Sequence, residues 1–138
     1  MRIPGWKNAP SGKRGHEGTD LMPPTNQRGF YPVFSATAGT VEHMGWLQKG
    51  GWRIGIRSEQ GGYFYYAHLS EYAPGMEEGK TVEAGEMLGY MGDSGYGEEG
   101  TVGQFAVHLH FGIYIQTADG REVSVDPYWI LKGLEGEP

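Results

Sequence analysis

Apolar and polar side chains alternate with a period of two along AVHLHFGIYIQ, residues 106–116, the pattern of a strand with one covered face. WRIGIRS and YFYYAHLS are rich in aromatic and β-branched residues and flank Glu59-Gln60-Gly61-Gly62, which predicts a hairpin. PVFSATAGTVEHM reads as two short strands around a turn at Ala38-Gly39. In 75–92, glycines at 75, 79, 85, 89 and 92 suit short strands turning sharply round a small barrel or sandwich. PPTNQRGFYP and DSGYGEEGTVGQ hold too many breakers for regular structure and read as loops. Asp126-Pro127 is placed to open a single helical turn over YWILKG. The expected organisation is an extended arm over 1–13 and one domain over 14–138.

Composition strengthens the β reading. Glycine makes up 25 of 138 residues, beside eight prolines, and each glycine costs about 1 kcal/mol relative to alanine inside a helix. Aromatic residues at 13% supply the bulk that glycine lacks. The fold class expected is mainly β, antiparallel, with little helix. A net charge of −6 and a pI near 5.3 lack the electrostatic footprint of a nucleic-acid binder. Cysteine is absent, which removes disulfides and thiolate chemistry. No apolar run approaches the ~20 residues of a membrane span. MRIPGWKNAP has no apolar stretch of signal-peptide type, so an exported protein would carry its export signal outside this sequence.

Five histidines occur: His16, His43, His68, His108 and His110. A lone histidine is ordinarily a surface or satisfied core residue, and His43 has nothing beside it to suggest otherwise. His108 and His110 differ, because residues two apart on a strand share a face. They stand side by side while Leu109 and Phe111 turn into the core. His16 and Asp20 form a second pair in GHEGTD. The match to the H-E-x-x-H zinc helix is superficial: the fifth position is Asp, Gly15 and Gly18 weaken a helix, and Pro23-Pro24 would end it. A loop or strand edge presenting one imidazole and one carboxylate fits better. Hydrolytic zinc takes three N or O ligands and keeps a fourth position for water, a count that two histidines and one aspartate meet. Spacing leaves manganese and cobalt open. By alternation Phe64, Tyr66 and His68 share one face, and His68 alone reads as a hairpin-end residue.

Together, H-E-G-T-D at 16–20, Y-A-H-L at 66–69 and H-L-H-F at 108–111 resemble the lysostaphin-type (LytM-like) peptidoglycan endopeptidases. PVFSATAGTV, GKTVEAGEMLGYMG and VSVDPYWIL are similar to further segments of that family, and the resemblance covers roughly 14–131. It implies a duplicated hybrid motif, with antiparallel sheets and an open groove over a metal. It further implies one Zn2+ per domain held by His16, Asp20 and His110, with His68 and His108 as catalytic histidines that do not bind it. The implied activity is a zinc metalloendopeptidase, with metal-activated water attacking peptidoglycan stem peptides or cross-bridges. Such a protein works outside the cell or in the cell envelope, as a monomer. Within that scheme His108 orients or deprotonates water and His68 donates a hydrogen bond to the oxyanion.

The chain departs from the family pattern in two loops. DSGYGEEGTVGQFAV is longer than the usual T-G-x-[ST]-T-G turn and carries Glu98 and Glu99, as a solvated insertion or as an acidic groove wall. PPTNQRGFY also looks expanded. Tyr66 is either a groove residue or a packed aromatic. Two other functions compete: a catalytically silent cell-wall or protein-binding module, and a phosphocarrier using paired histidines, in which H-x-x-x-D would have no purpose.

Overall fold

The computed structural model describes residues 18–126 together with the backbone of Lys7–Asn8. Ten strands lie in this part: β1 (Lys7–Asn8), β2 (Thr19–Met22), β3 (Pro32–Phe34), β4 (Gly39–Leu47), β5 (Gly51–Ser58), β6 (Tyr63–Tyr72), β7 (Thr81–Val82), β8 (Met87–Met91), β9 (Leu109–Gln116) and β10 (Glu122–Val125). Every pairing is antiparallel. The main order is β1-β2-β9-β6-β5-β4-β7, with β10 on β9 and β8 joining β6 to β3. The sheet is open rather than closed, and the described residues contain no helix, as the glycine-rich composition predicts. Among the described residues no helix is therefore long and apolar enough to cross a membrane.

The alternation in β9 produces its packing. Leu109, Phe111 and Ile113 are buried, while His110 between them is half-buried on the other face. Ile54 and Ile56 of β5 and Leu88 of β8 are fully enclosed in the same core. Burying a side chain of this size contributes roughly 1.5–3 kcal/mol, so this layer holds the strands in place.

The hairpin between β5 and β6 turns where the sequence places it. Gly61 N–H donates to Ser58 O (2.9 Å), and Ser58 N–H donates to Gly62 O (2.8 Å). β3 and β4 are both present but do not pair with each other; β3 lies on β8, and β4 on β5 and β7. The cause is local. Ser35 exchanges backbone bonds with residues 85–86, accepting from Gly85 N–H (2.7 Å) and donating to Glu86 O (2.8 Å), which carries the end of β3 away. Of the expected arm, only Lys7–Asn8 are described, and they pair with Met22 and Leu21. The helical turn expected over YWILKG lies outside the described residues.

One irregularity sets where a histidine points. Trp52 pairs with Leu69 and Ile54 with Tyr66, so two steps on β5 face three on β6. The extra residue makes a β-bulge. It is absorbed at His68, whose φ of +67° lies in the left-handed region and costs an L-residue roughly 1–2 kcal/mol. Tyr66 and Leu69 both point into the core, at 1% and 0% exposure. His68 is turned to the opposite face, among the other histidines. The shared face expected for Phe64, Tyr66 and His68 is therefore corrected: strict alternation fails where the strand carries one residue too many.

Candidate functional site

β9 lies between β2 and β6, so three strands deliver side chains to one patch. Asp20 is the direct cross-strand partner of His110, and Ala67 partners the same residue from the other side. His110 Nδ1 lies 2.8 Å from Asp20 Oδ1. His108, one residue before β9, is set by a bridge to Gly92, its N–H donating to Gly92 O at 3.1 Å. Its Nδ1–H donates to Ala106 O (2.9 Å), which leaves Nε2 facing Asp20 Oδ1 at 3.8 Å. The His68 ring lies 4.8 Å from that of His108 and 6.2 Å from that of His110, between centroids. Four of the five expected site residues, Asp20, His68, His108 and His110, thus gather in one place. The fifth, His16, lies outside the described residues.

His68 is held by Ser94, which is fully buried. The ring donates Nδ1–H to Ser94 O at 2.7 Å. Ser94 Oγ in turn accepts from Trp52 N–H (3.1 Å) and donates to Leu69 O (2.7 Å), spanning the bulge between β5 and β6. Burial pushes His68 down to about 4; His108 and His110 push the same way, against the Ser94 bond and Asp20, which favour the charged ring. The ring is neutral at pH 7, with an acceptor lone pair at Nε2.

The donor chemistry around Asp20 and His110 is one carboxylate oxygen and one imidazole nitrogen facing each other, with no thiolate in the chain. This fits two of the three ligands of a hydrolytic zinc site. Among the described residues no third donor completes a metal-binding group. Gly18 shows how closely the preceding segment approaches β9. Its φ is +96°, and a Cβ there would stand 2.6 Å from Phe111 O and 3.0 Å from His110 Nε2. Only glycine fits, and the sequence two residues earlier supplies His16.

Aromatic residues that the sequence reading passed over form the walls. Tyr65 sets its ring edge-on to His110 at 6.3 Å, above Gly112, its partner on β9. Alternation in β6 places Tyr65 opposite Tyr66, a signal that was available. Phe105 lies 4.7 Å from His68 and 5.1 Å from His108, and Tyr96 stacks on His68. Tyr66 is packed in the core, its hydroxyl accepting from Ala36 N–H (2.8 Å). Both long loops are fastened. Arg28 binds Asp93 through two bonds (2.7 and 3.1 Å), and Asn26 Oδ1 accepts from Val107 N–H (2.8 Å). Glu98 and Glu99 are exposed, yet the loop that carries them is tied to the β4–β5 turn, with Gly97 N–H donating to Gln48 O (3.1 Å). His43 is exposed and bonded to Tyr63 (2.9 Å). A concavity of about 470 Å³ lined by Ser58, Phe64, Ile113, Ile115 and Val125 among others contains none of the candidate residues.

Comparison with known proteins gives a consistent family. The sequence profile of Peptidase family M23 matches residues 14–127. The chain is 46% identical over 125 residues to the L-Ala–D-Glu endopeptidase of Bacillus subtilis, covering 90% of this chain and 36% of that protein. It is 34% identical over 103 residues to lysostaphin of Staphylococcus simulans, covering 73% and 19% respectively. The chain therefore spans about a third or less of these curated relatives. Among solved structures, a protein provisionally named glycyl-glycine endopeptidase lytM from Ruminococcus gnavus superposes with a TM-score of 0.87 at 54% identity, over 97% of this chain and 56% of that one. Lysostaphin from Staphylococcus simulans superposes with a TM-score of 0.72 at 27% identity, over 97% and 52%.

Proposed function

Because the chain belongs to peptidase family M23, we propose that it is a zinc metalloendopeptidase that hydrolyses peptide bonds of bacterial peptidoglycan, in stem peptides or cross-bridges. The observation that carries the reading is the 2.8 Å approach of Asp20 Oδ1 and His110 Nδ1, with His108 and His68 bordering the same space.

In this proposal His16, Asp20 and His110 hold one Zn2+, which when bound would polarise the scissile carbonyl and acidify a water. The chain's own residues do the rest. His108 and His68 each give Nδ1–H to a backbone carbonyl, so each neutral ring offers Nε2 as an acceptor. His108, the less enclosed, orients water and takes its proton as that water attacks the carbonyl carbon. A ring that has gained the proton becomes a donor, able to stabilise the oxyanion and then protonate the leaving amine. In its resting tautomer His68 offers an acceptor at Nε2, so the donor role expected of it from sequence requires the ring to gain a proton. Tyr65 and Phe105 exclude water from the histidines and present apolar faces to a peptide. We further propose that residues 14–138 act as one catalytic domain, monomeric, outside the cell or in its envelope.

The test is mass spectrometry of fragments released from defined muropeptides, with and without a chelator, together with elemental analysis of the purified protein. Specific cleavage that the chelator abolishes and zinc restores is expected. Intact muropeptides from zinc-loaded protein would overturn the proposal.

A further inference from the structure

Two non-glycine residues among those described hold a positive φ: His68, and Tyr96 at +57°. The left-handed region costs an L-residue about 1 kcal/mol or more, and Tyr96 recovers little of that by burial, since it is 58% exposed. Its neighbours nevertheless hold it there. Gly95 N–H donates to Thr101 O (3.0 Å) and Gly97 N–H to Gln48 O (3.1 Å), while Gly97 O accepts from Trp46 Nε1–H (3.2 Å). Gly95 itself has φ of +127°; a Cβ there would run into Lys49 O and stand 3.1 Å from His68 Nδ1. The loop is thus anchored on both sides of one projecting ring. That ring lies near-parallel to His68, 25° between planes and 6.0 Å between centroids, and edge-on to Phe105 at 5.6 Å. It borders the place where His68 and His108 meet and remains largely open to solvent.

Backbone strain kept at an exposed position that adds little to the core points to a role in contact with something else. A rigid aromatic ring offers contact area without loss of side-chain freedom on binding. Resting on the peptidase reading above, we propose that Tyr96 is a specificity-determining residue. Its ring is a preformed platform for the substrate residue flanking the scissile bond, and it favours an alanyl methyl over a bare glycyl residue. Covering one methyl group contributes about 0.8 kcal/mol, roughly fourfold in affinity.

The experiment compares wild type with Tyr96→Phe, Tyr96→Ala and Tyr96→Gly on two substrates, an alanine-containing stem peptide and a glycyl cross-bridge peptide. KM and kcat are measured on the zinc-loaded enzyme, Kd by calorimetry after chelation, and the melting temperature of each variant. Tyr96→Phe is expected to keep the wild-type KM. Alanine and glycine variants should both raise KM and Kd for the alanyl peptide by about fourfold or more, with a smaller change for the glycyl peptide. Their melting temperatures should differ, glycine above alanine, because only glycine accepts this φ without strain. Binding that follows the ring while stability follows the backbone supports the proposal. It is overturned if KM tracks melting temperature, if both peptides respond equally, if Tyr96→Ala binds as wild type, or if Tyr96→Ala cleaves faster, which would make the ring a lid. Wild type that binds without cutting overturns the hydrolase reading alone, and the Kd series then decides the role of Tyr96. Wild type that neither cuts nor binds overturns both.

Discussion

Replacing Ser94 by alanine removes a single oxygen, and the structure says where the cost falls. That hydroxyl accepts from Trp52 N–H on β5 and donates to Leu69 O on β6, in the stretch where the bulge has shifted the two strands out of register. Ser94 is fully buried, so water does not readily replace it. Alanine leaves one donor and one acceptor facing each other with no hydroxyl between them. Each stranded group costs about 1–3 kcal/mol, and partial closure of the strands recovers some of this, so a loss of about 2–4 kcal/mol is expected. For a domain of this size about 3–4 °C accompanies each kcal/mol, giving a fall in melting temperature of roughly 6–16 °C. The bond from His68 runs to the main-chain carbonyl of residue 94 and keeps both its partners. Activity measured well below the transition should therefore follow the folded fraction. Thermal denaturation followed by circular dichroism, with a matched turbidity assay on purified walls, reads both quantities. A melting temperature within about 2 °C of wild type would refute the claim that this hydroxyl holds the bulge together.

Three further outcomes are expected. His110→Ala should lose both zinc and hydrolysis, whereas His108→Ala should keep zinc by elemental analysis and lose about 10²–10⁴ in kcat; near-wild-type cleavage by His108→Ala would remove it from the mechanism. Tyr66→Phe should be about 1 kcal/mol less stable at neutral pH, through loss of the Ala36 bond. Burial pushes the Tyr66 phenol from its ordinary 10 up to about 12, so the unfolded chain releases its proton first and the wild type loses about 1.4 kcal/mol per pH unit between those values. The phenylalanine variant escapes that loss, and urea titrations of the two should cross within that window. Gly18→Ala should destabilise by about 1–2 kcal/mol from φ alone. Because its Cβ would press on His110, zinc affinity should also fall by about tenfold or more, read by competition with a chromophoric chelator.

Much of the site was legible because it obeys short-range periodicity. The i, i+2 spacing of His108 and His110 places both on one face of β9, and Leu109 and Phe111 are in the core as that spacing requires. The β5–β6 hairpin follows from its turn residues. His68 was legible through motif resemblance but not through counting, since a period of two assumes that no residue is inserted, and the bulge at His68 breaks that assumption. The tautomer of His68 and His108 was not legible either, because it depends on the carbonyl that each Nδ1–H finds, Ser94 or Ala106. Tyr96 and Phe105 belong to no periodic element, and their convergence on His68 is set by loop hydrogen bonds between residues distant in sequence. The fastening of the expanded segment after Asp20 depends in the same way on a pairing across 65 positions, Arg28 with Asp93.

The left-handed turn at His68 also separates two kinds of tolerance in β6. Up to Ala67 the odd-numbered positions look toward the face that carries His110; one residue later the parity has changed, and an even-numbered imidazole occupies that side. Deleting Ala67 would return the strand to one phase and leave the imidazole on that side, but shifted into the position directly opposite His110, with the ladder itself largely intact. Variation in this strand should therefore take the form of exchanged side chains at constant length, and libraries built for altered specificity should hold its residue count fixed.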